Sequence, residues 1–209
     1  MDKRAAELTP DKATGSATSL ARSLAEVVSA VFSPPIVAAV SLWFALYRLG
    51  AAHPRGWTIL YIMLGVAVPA LYVLWLLRRG QVTDLDVSWR EQRKRPMEVM
   101  VVCSALAWIL LWVLGANRGT LILTGALTLQ AMILLAITLR WKISQHSAMS
   151  AWAGLTGWFL LDSPLTLLLM PLVVWSRVRL GRHTVAEAIA GAALGLAISS
   201  AAVWLIRMA

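Results

Sequence analysis

Long apolar runs alternate with short polar segments along most of the chain. After a polar stretch at residues 1–19, this pattern predicts a bundle of about six to seven membrane helices. Ser33-Pro34-Pro35 interrupts the first apolar run, since proline removes a backbone donor and clashes with the preceding turn. That run is therefore either one kinked helix or an interfacial helix followed by a short span. The predicted apolar segments are 20–32, 36–47, 57–77, 97–114, 120–139, 147–161, 165–175 and 184–206.

Composition supports a membrane protein. The 209 residues are 59% hydrophobic and only 14% charged, whereas soluble domains are roughly 45–50% apolar and about 25% charged. A single aqueous core cannot bury so much apolar surface, and a disordered chain would contain far less of it. The sequence therefore predicts an all-α, polytopic membrane bundle, with a polar N-terminal tail at 1–19 and a single transmembrane domain at 20–209.

The net charge of +9 does not indicate nucleic-acid binding here. The basic residues lie in short runs between apolar stretches, which favours membrane topology and anionic ligands. The single cysteine, Cys103, lies in an apolar run, so neither a disulfide framework nor a cysteine metal cluster is expected. We expect no metal and no cofactor. The expected partners are the lipid bilayer and a phosphorylated lipid, and the oligomeric state stays open.

Three polar segments are predicted to meet at one membrane face. Two crossings separate the segment ending at Arg95 from the one containing His146, and two more separate His146 from His183. Because two crossings return a chain to the face it left, the three segments should converge. Their residues are Arg90, Arg93, Lys94, Arg95, Lys142, His146, Arg177, Arg179, Arg182 and His183.

This set of side chains suits a phosphate group. Arginine offers a planar fork of donors to phosphate oxygens, and histidine acts as a nucleophile or as a proton donor near neutral pH. His183 and Glu187 are four residues apart and share one helix face. A carboxylate at that position can hold the imidazole in one tautomer, as the third member of a catalytic triad does.

The motifs resemble those of the type 2 phosphatidic acid phosphatase (PAP2) superfamily. Ser176-Arg177-x5-His183-x3-Glu187 resembles the third family motif, Ser-Arg-x5-His-x3-Asp. Ile143-Ser144-Gln145-His146 resembles the second, Pro-Ser-Gly-His, and Arg95-Pro96 resembles the end of the first, Lys-x6-Arg-Pro. The order and spacing of the motifs also fit, over roughly residues 78–200.

The resemblance implies a metal-independent phosphohydrolase. In that family pattern His183 attacks phosphorus and becomes a phosphohistidine, Glu187 orients it, and His146 protonates the leaving oxygen and later helps to activate water. Arg95, Arg177 and Ser144 would hold the phosphoryl oxygens. Arg90, Lys142 and Arg182 are further candidates for phosphate binding.

The chain departs from the family pattern at four positions. Glu187 replaces an aspartate, Ile143 and Gln145 replace proline and glycine, and Ser88 stands where the first motif has lysine. Arg90 or Lys142 is expected to supply that missing charge. The preceding residues Asp84 and Asp86 are expected to be solvated or to form salt bridges within their own segment, with ordering of nearby arginines or cation binding as alternatives.

The sequence thus predicts a membrane phosphatase that hydrolyses a lipid phosphate or diphosphate, such as a polyprenyl (di)phosphate or a phosphatidate. One alternative is a non-catalytic PAP2-like protein that binds or translocates anionic lipid. Another is a metal-dependent transferase that uses Asp84 and Asp86. The excess of Lys and Arg on the motif face predicts that this face is cytoplasmic, in what we expect to be a bacterial plasma membrane.

Overall fold

The structure is a computed structural model that describes residues 12–49 and 53–208. For 12–18 and Pro54 it describes the backbone only. Within these ranges every regular element is helical. The α-helices are α1 (Lys12–Val31), α2 (Pro34–Arg48), α3 (Pro54–Ile62), α4 (Val68–Arg78), α5 (Lys94–Val113), α6 (Arg118–Thr138), α7 (Gln145–Leu161), α8 (Leu169–Arg179) and α9 (Val185–Arg207).

The predicted proline break separates α1 from α2. The two helices meet at an angle of 52°, and Pro34 and Pro35 occupy the first positions of α2, where a missing N–H costs nothing. The first helix begins at Lys12, which places 12–18 of the predicted polar tail in α1. The rest of that tail, 1–11, lies outside the described residues, as do residues 50–52.

The second apolar run forms one continuous helical rod with a widened turn. α3 leads into a π-helical segment at Met63–Ala67, which leads directly into α4. Pro69 lies in the first turn of α4 and has no N–H to donate to the turn before it, so a locally widened ladder accommodates the missing bond. The sequence pattern predicted the rod but not this widened turn.

Several helices are long and apolar enough to cross a membrane. In the described ranges these are Arg55–Arg78, Lys94–Val113, Arg118–Thr138 and Val185–Arg207, with the bent α1–α2 pair as a fifth if it forms one span. They carry exposed large apolar side chains such as Trp112, Val113 and Trp204. An all-helical integral membrane protein fits these features.

The predicted count of six to seven spans is not confirmed. The predicted count includes α7, which has 17 residues, and α8, which has 11, and neither is among the helices long enough to cross a membrane. At 1.5 Å per residue α7 is about 25 Å long, somewhat less than a hydrocarbon core of about 30 Å. Its side chains from His146 to Gly154 are all buried, so α7 is the central helix of the bundle and is covered by its neighbours.

Candidate functional site

The backbones of α7 and α9 approach each other closely, and this contact positions the site. Gly191 and Gly195 of α9 face α7, and a methyl group at either position would collide with the carbonyl oxygen of Ser144 or Ala148. The Ser144 N–H also donates to the carbonyl oxygen of Glu187 at 3.2 Å. This close packing brings the second and third motifs together.

His183 and Glu187 form a histidine–carboxylate pair at the start of α9. Nδ1 of His183 lies 3.1 Å from Oε2 of Glu187, and the His183 side chain is 1% exposed. The same oxygen accepts the N–H of Thr184, while Thr184 Oγ1 accepts the N–H of Glu187. Glu187 is therefore fixed by a capping box, and it engages the Nδ1 atom of the imidazole rather than Nε2.

Burial and surrounding cations keep His183 neutral. Burial is the main cause that lowers its pKa to about 2, and Arg93, Arg177 and Lys142 act in the same direction. The Glu187 carboxylate opposes them, since a nearby negative charge favours the imidazolium. A neutral imidazole keeps the lone pair that a nucleophile needs.

His146, the second histidine, faces Asp86 rather than solvent. Its Nε2 lies 3.7 Å from Oδ1 of Asp86, too far for a hydrogen bond but within ion-pair range. This nitrogen is buried and has no hydrogen-bond partner among the described residues. Asp86 thus pairs with distant residues at the centre of the site. The sequence instead predicted a solvated loop or salt bridges within its own segment.

Arg177 is the most deeply buried cation of the site. Its side chain is 1% exposed, and Nη1 donates to Asp86 Oδ2 at 2.7 Å and to Ser29 Oγ at 2.6 Å. Burial alone raises the pKa of Asp86, but His146 and Arg177 outweigh burial and hold that pKa below its usual range. The carboxylate is therefore charged at neutral pH and neutralises a guanidinium that has no other acidic partner in the described chain.

Arg93, and not the predicted Arg95, lies at the site. Arg95 is exposed on the first turn of α5, away from the site. Arg93 is 7% exposed and donates to the carbonyl oxygens of Val87 at 2.8 Å and Ile143 at 3.1 Å. The Arg-Pro pair of the resemblance therefore marks the right segment, but the guanidinium that reaches the site lies two residues earlier.

The other predicted phosphate ligands have different surroundings. Lys142 donates to the carbonyl oxygen of Arg182 at 2.6 Å, and burial, aided by Arg93, lowers its pKa. Arg182 contacts the Ser88 hydroxyl and lies 3.6 Å from Asp84. Arg182 lines the site and Lys142 lies next to it, while Ser88, at the position of the family lysine, contacts Arg182.

Arg90 and Ser144 do not reach the site with their polar atoms. Arg90 donates to the carbonyl oxygens of Leu139 and Arg140 at the end of α6. Ser144 is the N-cap of α7, and its hydroxyl accepts the N–H and O–H of Ser147. Both side chains fasten connecting segments, so the phosphate-binding role predicted for them is not supported by their contacts.

One cavity of about 580 Å³ joins these polar groups to the interior of the bundle. Asp86, Arg93, His146, Arg182 and His183 line its charged end. Its remaining wall is formed mainly by apolar side chains of α2 to α7, of which Val66, Val73, Met97, Leu127, Ala131 and Met149 are examples. The shape fits an amphipathic molecule with an anionic group at one end and hydrocarbon at the other.

Chemically, the charged end offers a nucleophilic nitrogen, a second imidazole and several guanidiniums around a small volume. Such groups can position an anion and stabilise charge that develops on it. No group of three or more His, Cys, Asp or Glu side chains in the described ranges is arranged to hold a metal ion. Asp84 and Asp86, the pair considered for a cation, are instead turned towards Arg182 and Arg177.

Asp86 and Arg93 were the two site residues that sequence reasoning undervalued. Asp86 lies 91 positions from Arg177 in the chain, and nothing local to its segment predicts that contact. One signal was present: three carboxylates, those of Asp84, Asp86 and Glu91, stand in a short, mostly basic segment between two apolar runs. A carboxylate in such a segment often forms an ion pair with a cation that is buried elsewhere in the fold.

Comparison of the chain with protein families, with curated proteins and with solved structures finds no match.

Proposed function

We propose that the protein is a membrane phosphatase of the PAP2 type that hydrolyses a lipid phosphate or diphosphate through a phosphohistidine. The observation that carries this proposal is the placement of His183 and His146 on the wall of one cavity, with Arg93 and Arg182 beside them and an apolar interior beyond. The motif spacing in the sequence adds independent support.

The proposed reaction has two steps. In the first, Nε2 of His183 attacks phosphorus, the N–P bond forms, and the P–O bond to the lipid breaks. The leaving oxygen takes a proton from His146, which enters this step as the imidazolium that the neighbouring Asp86 carboxylate favours. In the second, a water molecule gives a proton to His146 while its oxygen attacks phosphorus, and the N–P bond breaks to release inorganic phosphate. Glu187 holds His183 in the reactive tautomer throughout.

The cations supply the remaining stabilisation. Phosphoryl transfer needs mainly positioning and countercharge, because negative charge is spread over the equatorial oxygens of the transition state. Arg93 and Arg182 line the cavity and are the first candidates for that role. Lys142 lies next to Arg182 and adds positive charge at the same end.

The substrate is proposed to enter with its hydrocarbon part in the apolar section of the cavity. A polyprenyl (di)phosphate and a phosphatidate both meet this description. We further propose the PAP2 fold with six to seven crossings, in which the buried α7 and the short α8 complete the bundle. The motif face is proposed to lie in the cytoplasm of a bacterial cell, on the basis of the excess of Lys and Arg on that face.

Phosphate release from lipid phosphates in the presence of EDTA tests the proposal. Purified protein is incubated with phosphatidate, a polyprenyl phosphate and a polyprenyl diphosphate in mixed micelles. The wild type should release phosphate from at least one of them, and His183→Ala should reduce release to background. His53→Ala is the matched control, since His53 is exposed at the start of α3, outside the cavity lining.

Two outcomes would contradict the proposal. If His183→Ala turned over as fast as the wild type, the phosphohistidine mechanism would be wrong. If the wild type bound phosphorylated lipid but released no phosphate from any substrate, the protein would instead be a lipid binder or translocator. The departures from the family motifs at Ser88 and Gln145 are the features that favour this second function.

A further inference from the structure

An anion already occupies the position between Arg177 and His146. The Asp86 carboxylate lies 2.7 Å from Nη1 of Arg177 and 3.7 Å from Nε2 of His146. In the proposed function the phosphoryl group of a substrate lies between His183 and His146, in the cavity that Asp86 also lines. If the proposed function holds, the carboxylate therefore stands where a phosphoryl oxygen would bind.

Asp86 also lies between Arg177 and the cavity. The side chain of Asp86 is 29% exposed and lines the cavity, whereas that of Arg177 is 1% exposed and does not line it. An incoming phosphate thus meets the carboxylate before it meets the guanidinium. To reach Arg177, a ligand must displace Asp86 or bind against its negative charge.

Displacement has an energetic consequence that differs between ligands. A buried guanidinium without a counter-ion is strongly unfavourable, so the empty site is stabilised by the Asp86–Arg177 pair. Free inorganic phosphate gains only its own polar contacts with the site, and these replace the Asp86–Arg177 ion pair that it breaks. A phosphate attached to hydrocarbon also gains the burial of apolar surface in the cavity, and that gain can drive the displacement.

We propose that Asp86 is a specificity-determining residue whose carboxylate occupies the anion position between Arg177 and His146, so that phosphates carrying an apolar tail displace it and free phosphate does not. This role keeps the released product from inhibiting the site. It also discriminates against small soluble phosphate esters.

Inorganic phosphate itself is the probe for the first test. Its affinity is measured by titration calorimetry on detergent-purified wild type, Asp86→Asn, Asp86→Glu and Glu98→Gln. Asp86→Asn keeps the shape of the side chain but removes its charge, and should bind phosphate at least about tenfold more tightly. Asp86→Glu keeps a competing carboxylate and should stay weak. Glu98→Gln removes an exposed charge on α5 and should match the wild type.

Steady-state kinetics give the second readout. The ratio of kcat/KM for hexadecyl phosphate to that for butyl phosphate should fall about tenfold in Asp86→Asn, and inhibition by inorganic phosphate should appear at lower concentration. A merely structural role for Asp86 would weaken phosphate binding and would not produce this gain. Thermal unfolding in detergent verifies that each variant is folded.

The results separate this inference from the proposed function. Folded Asp86→Asn that binds phosphate no more tightly than the wild type would overturn the inference, whatever the activity. Tighter phosphate binding in Asp86→Asn, without hydrolysis by any variant, would uphold the anion position and reject the enzyme. If Asp86→Asn does not fold, Asp86→Ser serves as the second neutral variant, with the same expected gain.

Discussion

Nδ1 of His183 and Oε2 of Glu187 lie 3.1 Å apart, and the same carboxylate oxygen caps the first turn of α9. One side chain thus performs two tasks, since it orients an imidazole and satisfies a helix N-terminus. The two tasks can be separated by substitution, because glutamine serves equally well in a capping box but cannot stabilise an imidazolium as a carboxylate does.

Glu187→Gln should therefore lower kcat by about 10²- to 10⁴-fold, within the range seen when the orienting acid of a catalytic triad is neutralised, while the melting temperature changes little. Thr184→Ala is the matched control, because it removes the other half of the capping box and should cost about 1 kcal/mol of stability with most activity retained. Equal losses of activity in both variants would indicate that Glu187 acts only as a helix cap.

The pH dependence of activity should reflect the lowered pKa of His183. Burial and neighbouring cations reduce that pKa from 6.5 to about 2, so the nucleophile stays neutral in mildly acidic solution. The acid limb of kcat/KM should therefore lie well below pH 6.5. An acid limb near pH 6.5 that is lost on substitution of another residue would be assigned to that residue. An acid limb near pH 6.5 that belongs to His183 would contradict the buried, neutral state of this histidine.

Stability should depend on pH for the same reason. Below pH 6.5 the unfolded chain binds a proton at His183 and the folded chain does not, so stability is fully present above pH 6.5 and decreases as the pH falls. The slope from this residue is at most about 1.4 kcal/mol per pH unit. Chemical unfolding at several pH values should show a smaller slope in His183→Gln than in the wild type.

Gly195 should tolerate no side chain, since a methyl group there would meet the Ala148 carbonyl oxygen of α7. Gly195→Ala should destabilise the protein by about 1–3 kcal/mol, as overpacking of a close contact does. It should also lower activity, because α7 carries His146 and His183 lies just before α9. Ser200→Thr also adds one methyl group to α9, but at an exposed position, and should be neutral. A neutral Gly195→Ala would contradict the close approach of the two backbones.

Substitution of Arg93 should affect kcat/KM far more than substitution of Arg95. Arg93→Ala removes a buried guanidinium that lines the cavity and joins two connecting segments, and should reduce kcat/KM for a lipid phosphate at least about 100-fold. Arg95→Ala should change it less than about twofold, because this side chain is exposed. The reverse order would restore the assignment suggested by the family motif.

The apolar section of the cavity should control chain length. Ala131 lines it, and Ala131→Phe should raise KM for hexadecyl phosphate about tenfold while leaving butyl phosphate nearly unchanged, since only the long chain reaches this wall. Leu129→Phe, on the exposed side of α6, controls for the added ring. Equal effects on both substrates would mean that the tail lies elsewhere.

The sequence predicted much of the helical framework because its signals are local. Pro34 and Pro35 end one helix and begin another, as the sequence predicted. This break depends on neighbouring residues whose backbone preferences are strong. Span counting also predicted the convergence of His146 and His183 on one end of the bundle.

The parts that were missed depend on contacts between distant segments. The ion pair of Asp86 with Arg177 and the hydrogen bond from Arg93 to Ile143 join residues far apart in the chain, and no periodicity describes the irregular segment that carries Asp86 and Arg93. The choice between Arg93 and Arg95 depends on where the first turn of α5 begins. A shift of two residues moves a side chain from the interior to the exterior of a helix.

Two different sets of helices form the cavity: one set positions the reacting groups, and the other forms the apolar wall. The histidines and Arg177 belong to α7, α8 and the start of α9, whereas most of the apolar wall comes from α2 to α6. Substitutions in the apolar wall could therefore change which lipid the cavity accepts during evolution, while the reacting groups stay the same. Directed evolution for altered tail preference should accordingly concentrate its libraries on α4, α5 and α6.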